Sequence, residues 1–152
     1  RLAWSATYMA RIVVHLHGRP KDAAFRIAIN EYANRLSSDG VSLVEHRNQT
    51  DPNEYLKTVL KRAGDSTVIL LDEDGKIIDS MGYAEEMKKW RLASQDVHLV
   101  IGPPGGFGEQ QTGAKSLSLG PITLPHELAA VVLLEQLYRA VTIIKGLPYH
   151  RA

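Results

Sequence analysis

The stretch Val97-His98-Leu99-Val100-Ile101-Gly102-Pro103-Pro104-Gly105-Gly106-Phe107-Gly108 decides how the chain is read. Its first five residues show no polar–apolar alternation, the pattern of a parallel strand covered on both faces. Glycines and prolines follow at once, so the strand ends in a sharp turn at its carboxyl end, where open α/β sheets place their ligands. Thr67 to Leu71, Thr-Val-Ile-Leu-Leu, repeats the unalternated pattern. Further upstream, Arg11 to His17 and Val41 to His46 read as strands. Lys21 to Leu36 has helical spacing, and Asp51-Pro52 supplies an N-cap and a first-turn proline for a helix facing inward with Tyr55, Leu56, Val59 and Leu60. Asp72-Glu73-Asp74-Gly75 reads as a turn and Met81 to Leu92 as an amphipathic helix. Downstream, Ser116–Leu119 and Ile122–Leu124 give a short fifth strand with its exit loop, before a helix from His126 to Ile144. Strands alternating with helices predict an α/β fold, a mainly parallel sheet with flanking helices. The ligand site is then expected where Leu71-Asp72, Gly102 onward and Leu119 onward meet.

The totals narrow the classes. One domain suits 152 residues, and 44% hydrophobic with 23% charged residues is ordinary for a globular chain. We assign it to residues 9–152. Residues 1–8 lack the apolar core of a secretion signal and are given no part in the fold. A net charge of +1 does not announce a nucleic-acid binder, although one face could still be basic. Without cysteine there is no disulfide, zinc ribbon or thiol catalysis, and a reducing cytoplasm is the default compartment. Leu128 to Ile144, the most apolar segment, is interrupted by Glu135, Gln136 and Arg139 and is too short to span a membrane.

The loops suggest chemistry of a limited kind. Gly102 to Gly108 is not G-x-G-x-x-G and has no following Gly-Lys-Ser/Thr, which argues against a phosphate cradle or a Rossmann dinucleotide site. Its glycines serve either a plain turn or the close approach of a ligand. Leu119 to Pro125 is almost wholly apolar: either a buried strand end, or a loop whose backbone groups read the edge of an adenine. His126 reads as a capping or packing residue, and Glu135 with Arg139 as an i, i+4 ion pair. Lys57, Lys61 and Arg62 read as a solvated face. His15, His17, His46 and His98 lack ligand spacing, so no metal site is expected.

The C-terminal block carries a resemblance. Ile122-Thr123-Leu124-Pro125-His126, Leu134-Glu135-Gln136-Leu137-Tyr138-Arg139-Ala140, Lys145-Gly146 and Pro148-Tyr149-His150 closely resemble the RlmH family of SPOUT methyltransferases, which modify N3 of a pseudouridine in large-subunit (23S) ribosomal RNA. Val68-Ile69-Leu70-Leu71-Asp72 with Gly75-Lys76, and Leu99-Val100-Ile101-Gly102, extend the likeness upstream. The resemblance implies a C-terminal trefoil knot, a homodimer and S-adenosylmethionine as cofactor. By residue, it implies cofactor binding at Leu71, Gly102, Pro103, Leu119, Gly120, Pro121, Ile122, Thr123, Leu124 and Pro125, and function at Arg139, Tyr149, His150 and Arg151. Two departures stand out. Gly102-Pro103 replaces the family's Gly-Gly and removes one backbone N–H. The Gly-Pro-Pro-Gly-Gly-Phe-Gly loop is also similar to that of the small-subunit rRNA uridine N3 methyltransferases, whose extra N-terminal domain is not expected within 152 residues.

The implied reaction moves a methyl from a sulfonium to an imide nitrogen, so positioning and loss of the imide proton are the tasks. His150 could act as base, or Arg139 or Arg151 could stabilise the developing charge; the sequence leaves both open. Tyr149 offers a stacking face for an extruded base. The tail is expected at the mouth of the cofactor pocket, of its own chain or of a partner's. The apolar excess of the last helix (Leu128, Val131, Val132, Leu133, Leu134, Leu137, Val141, Ile144) suggests burial in a dimer. A rival of another class is a non-catalytic ribosome-binding module that retained the fold.

Overall fold

The computed structural model describes residues 9–47, 51–107 and 113–151; the extension at residues 1–8 and Gly108 of the glycine-rich loop lie outside them. Among the described residues five strands and four α-helices follow in the order β1 (Ile12–His17), α1 (Ala23–Leu36), β2 (Val41–His46), α2 (Pro52–Ala63), β3 (Thr67–Ile77), α3 (Ser80–Leu92), β4 (Val97–Ile101), β5 (Lys115–Ser118) and α4 (His126–Lys145). The strands form one sheet in the order β2-β1-β4-β3-β5, every pair parallel. All carboxyl ends therefore lie along one rim.

The two-residue period of the strands sorts their side chains into two cores. Ile12, Val14, Leu16, Ile69, Leu71, Leu99 and Ile101 point into the larger one, with Ile29 and Leu36 of α1, Met87 of α3, and Leu133, Leu134 and Leu137 of α4. The intervening residues Leu70 and Val100 pack against Tyr55, Leu56 and Val59 of α2 and against Phe107. Each fully buried leucine contributes roughly 1.5–3 kcal/mol relative to exposure, so α4, with three of them, anchors its side of the sheet. Much of its apolar excess is thus used inside the chain, while Ile144 stays 40% exposed.

Helix starts follow the sequence chemistry. Asp22 accepts from the backbone N–H of Ala24 and Phe25, Asp51 from that of Asn53, and Asp79 from that of Gly82. The helix α4 ends in a left-handed Gly146, φ +72°, whose N–H and the next close back on Ile143 and Thr142.

Two boundaries differ from expectation. Asp72–Gly75 is no terminal turn but an excursion within β3. Leu71 and Lys76 both partner Leu117 of β5, so the four residues between leave the ladder and return to it. Gly75 permits this: a Cβ there would come within 2.7 Å of the Leu117 backbone. Strand β5 ends at Ser118, and Ile122–Leu124 lie in the loop that follows, off the ladder.

Candidate functional site

The ends of β3 and β4, the turn after β4 and the loop after β5 enclose a cavity of about 720 Å³. Leu71, Gly102, Pro103, Leu119, Gly120, Ile122, Thr123, Leu124 and Pro125, nine positions singled out from sequence, line it. Pro121 belongs to the same loop but is exposed and does not form the wall. The cavity also takes in Asp72, Glu73, Phe107, His126 and Ala129. The neighbourhood follows from topology, since β4 and β5 flank β3 on either side.

Local chemistry shapes each wall. A Cβ on Gly102 would lie 3.3 Å from the Phe107 ring, so the glycine lets that ring close beneath the turn. The Gly106 N–H donates to the Pro103 carbonyl at 2.8 Å, and Gly105 and Gly106 both take positive φ. The loop after β5 turns at Gly120, φ +133°, a region only glycine adopts freely. Its conformation is held by the buried Ser118 hydroxyl, which donates to the Gly120 carbonyl at 2.8 Å and accepts from the Gly120 N–H at 3.1 Å. Farther along, the Thr123 hydroxyl donates to the Glu73 carboxylate at 2.8 Å and latches the loop to the β3 excursion.

Mostly apolar walls, glycine backbone and a volume within the usual 300–1,000 Å³ suit a nucleoside-sized ligand. Asp72 and Glu73 are carboxylates on the rim, favourable to a cationic group. Among the described residues His126 is the one imidazole on the wall. It does not cap α4, whose N-cap is Pro125 with no side-chain hydrogen bond. Burial lowers its pKa below the usual histidine value; Glu127 opposes the shift and His17 and Lys21 reinforce it. Glu127 is itself buried and accepts from the backbone N–H groups of Lys21 (3.0 Å) and Asp22 (3.1 Å), tying the start of α1 to that of α4.

The tail forms a second cluster. Arg139 bonds Glu135 at 2.8 Å, and its other terminal nitrogen lies 3.1 Å from Nδ1 of His150. The Tyr149 hydroxyl donates to Glu135 at 2.9 Å, and its ring lies under the Arg139 guanidinium, 4.9 Å from the centroid, and edge-on to Tyr138. The Glu135 hydrogen bond raises Arg139 further above its ordinary value; burial, then hydrogen bonds with Tyr32 and Glu135, raise Tyr149. The tail is thus docked. Yet Arg139 lies thirteen residues along α4 from His126, or about 20 Å at 1.5 Å per residue, and no described tail residue lines the cavity. The expectation that the tail closes the pocket of its own chain is not met within one chain. Arg151 is exposed.

Sequence reasoning missed a third cluster. His15 in β1 hydrogen-bonds His46 of β2 through Nδ1 at 2.9 Å and His98 of β4 through Nε2 at 2.8 Å, and all three rings are buried. The register places Val44 and Val100 beside His15, so His46 and His98 sit one same-face step to either side. Among the described residues no group of ligand-type side chains could hold a metal ion. The signal was the same-face parity of positions 13, 15 and 17, legible only once the strand order is known.

Comparison with known proteins agrees with this geometry. The family described as "Predicted SPOUT methyltransferase" matches residues 10–150. Proteins named ribosomal RNA large subunit methyltransferase H are similar: that of Synechococcus sp. is 38% identical, covering 94% of this chain and 96% of its own. The one from Anaeromyxobacter sp. is 36% identical over 93% of this chain and 99% of its own, and that from Hahella chejuensis 36% over 80% and 86%. Among solved structures, TrmJ from Z. mobilis ZM4 superposes with a TM-score of 0.50 at 13% identity, covering 88% of this chain and 70% of that one, a likeness of fold that fits an α/β knot. A parallel α/β sheet with its cavity at three strand ends, matched over nearly its whole length, belongs to the SPOUT methyltransferase family, with the ribosomal RNA large subunit methyltransferase H proteins as its relatives.

Proposed function

We propose that the protein is a cytoplasmic methyltransferase that uses S-adenosylmethionine to methylate N3 of a pseudouridine in 23S ribosomal RNA, and that it works as a homodimer with a C-terminal trefoil knot. The observation that carries this reading is the single cavity at the ends of β3, β4 and β5, built from the loops that resemble the family's cofactor loops. Leu71, Gly102, Pro103 and Leu119–Pro125 would hold the cofactor by apolar contact and by backbone groups; Pro121 does so through its place in the loop. The cofactor supplies an electrophilic methyl. Everything else falls to the protein: Phe107 and Leu124 exclude water, and Asp72 and Glu73 favour positive charge at the rim.

That no described tail residue lines the cavity supports the dimer. Arg139, Tyr149, His150 and Arg151 reach a reacting base only where a second copy presents them across its partner's cavity. There Tyr149 stacks on the base and the two arginines hold phosphate. Ile144 and Leu147 near the end of the last helix are exposed and offer apolar surface for the second copy.

The test is methyl transfer from labelled S-adenosylmethionine to ribosomes and subunits lacking the modification, with base-resolved mapping of the product. Methylation of one large-subunit pseudouridine is expected. Cofactor binding without transfer to any ribosomal substrate would refute the reading, and binding of ribosomes without binding of cofactor would favour the non-catalytic module.

A further inference from the structure

We propose that His126 is the general base that removes the imide proton from the nucleotide being methylated. The inference rests on the methyl-transfer reading above and deepens it by assigning a step which that reading leaves open. Three titratable side chains line the cavity among the described residues: Asp72, Glu73 and His126. Glu73 is engaged, accepting from Thr123, and Asp72 accepts from the backbone N–H of Asp74. No described side chain hydrogen-bonds the His126 ring; its nearest charged neighbour is Glu127, whose Oε2 lies 3.9 Å from Nε2.

His150 is a weaker candidate on geometry. Its Nδ1 lies 3.1 Å from an Arg139 nitrogen, which can only donate, so the neutral ring must accept at Nδ1 and carry its hydrogen on Nε2. Such a ring has no lone pair left for another proton. It can donate, and it can be positioned, but it cannot act as base while that bond stands.

The setting of His126 suits the task in both protonation states. Before reaction the ring is neutral, because burial disfavours its charged form, as do His17 and Lys21 from the β1–α1 segment and the amino end of α4. After reaction the buried Glu127 carboxylate, held by the Lys21 and Asp22 N–H groups, faces the new imidazolium. Asp72 and Glu73 add negative charge from the β3 side of the cavity. In the step itself the imide N–H bond breaks and an N–H bond to His126 forms. The freed nitrogen pair makes the N–CH₃ bond while the donor's C–S pair returns to sulfur. Positive charge thus leaves the sulfonium and ends on the imidazole, from which the proton passes to water.

Three measurements on the full chain test this with the His126→Asn variant, which keeps a polar side chain but cannot take the proton. Single-turnover methylation should fall about 10²-fold at neutral pH. The wild-type rate should level off at a pH below the ordinary histidine value, whereas the variant's rate should keep rising with pH until the imide ionises unaided. Calorimetry with S-adenosylhomocysteine should give affinities within a few-fold of each other. Ring NMR of the free protein, with the His126 signal assigned by its loss in the variant, should show titration below the ordinary value. An unchanged rate and pH profile in the variant would overturn the proposal. So would a pH-independent deficit that follows lost affinity, which marks a wall residue. A wild-type protein inactive on every ribosomal substrate would instead fail the underlying reading, and the inference with it.

Discussion

Acid should unfold this protein through the three histidines that join β2, β1 and β4. Burial first, then the neighbouring His46, His98 and Arg62 charges, lowers His15 from 6.5 to about 3; His46 and His98 are lowered too, burial again leading. The folded state therefore binds fewer protons than the unfolded chain wherever these rings titrate. Their stabilisation is complete above the unfolded value of 6.5 and is lost as pH falls from there toward the folded values. At pH 4.5, two units below the unfolded value, His15 alone accounts for about 2.7 kcal/mol at 1.36 kcal/mol per unit. That is a large share of the 5–15 kcal/mol of a typical domain. Urea unfolding between pH 7.5 and 4.5 measures the slope. Carboxylates titrate in the same range, so the informative quantity is the difference from a variant with His15, His46 and His98 all replaced by Leu. Replacing every partner by an apolar group of similar size leaves no polar atom stranded. The wild type should lose at least 2 kcal/mol more than the variant over that range. Equal slopes would refute the reasoning, because the rings would then be free to take protons in the folded state.

Other expectations concern single contacts. The Tyr55 hydroxyl lies 3.0 Å from the His15 carbonyl and 2.7 Å from that of Ile101, fastening α2 to β1 and to the end of β4 at the cavity; Tyr55→Phe should cost about 1–2 kcal/mol in thermal or urea unfolding. Gly75→Ala pushes a methyl to within 2.7 Å of the β5 backbone, so stability should drop by roughly 1–3 kcal/mol. Cofactor affinity should weaken with it as the Glu73–Thr123 latch shifts, measurable by calorimetry. Deleting Tyr149–Ala152, or replacing Arg139 by Ala, should abolish methylation and leave cofactor affinity within a few-fold of the parent.

Most of the scaffold was legible because strands and helices announce themselves by period. Val97–Ile101 and Thr67–Leu71, unalternated, are indeed interior strands of a parallel sheet, and Asp51-Pro52 does begin a helix. The cavity was legible as well, because carboxyl strand ends in an open sheet converge wherever the strands neighbour one another. What stayed hidden depended on register. Asp72–Gly75 has turn composition, and only the pairing of the flanking Leu71 and Lys76 with Leu117 reveals that the chain comes back to the ladder. His126 read as a capping or packing residue because it stands at a helix start; capping is out, since it requires a side-chain acceptor aimed at free N–H groups and the cap position belongs to Pro125. Whether the tail serves the pocket of its own chain or of a partner's was not legible, since sequence does not convey that α4 holds tail and cavity apart within one chain.

That helix has a consequence for how the gene can change. His126 at one end and Arg139 near the other share a single rigid rod, so its length works as a spacer with a rotational setting. One inserted residue would turn the Glu135–Arg139–Tyr149 group by about 100° about the axis and tear Leu133, Leu134 and Leu137 from the core. Seven inserted residues would nearly restore the facing but move the group by about 10 Å. Insertions and deletions should therefore be purged from the codons between His126 and Arg139.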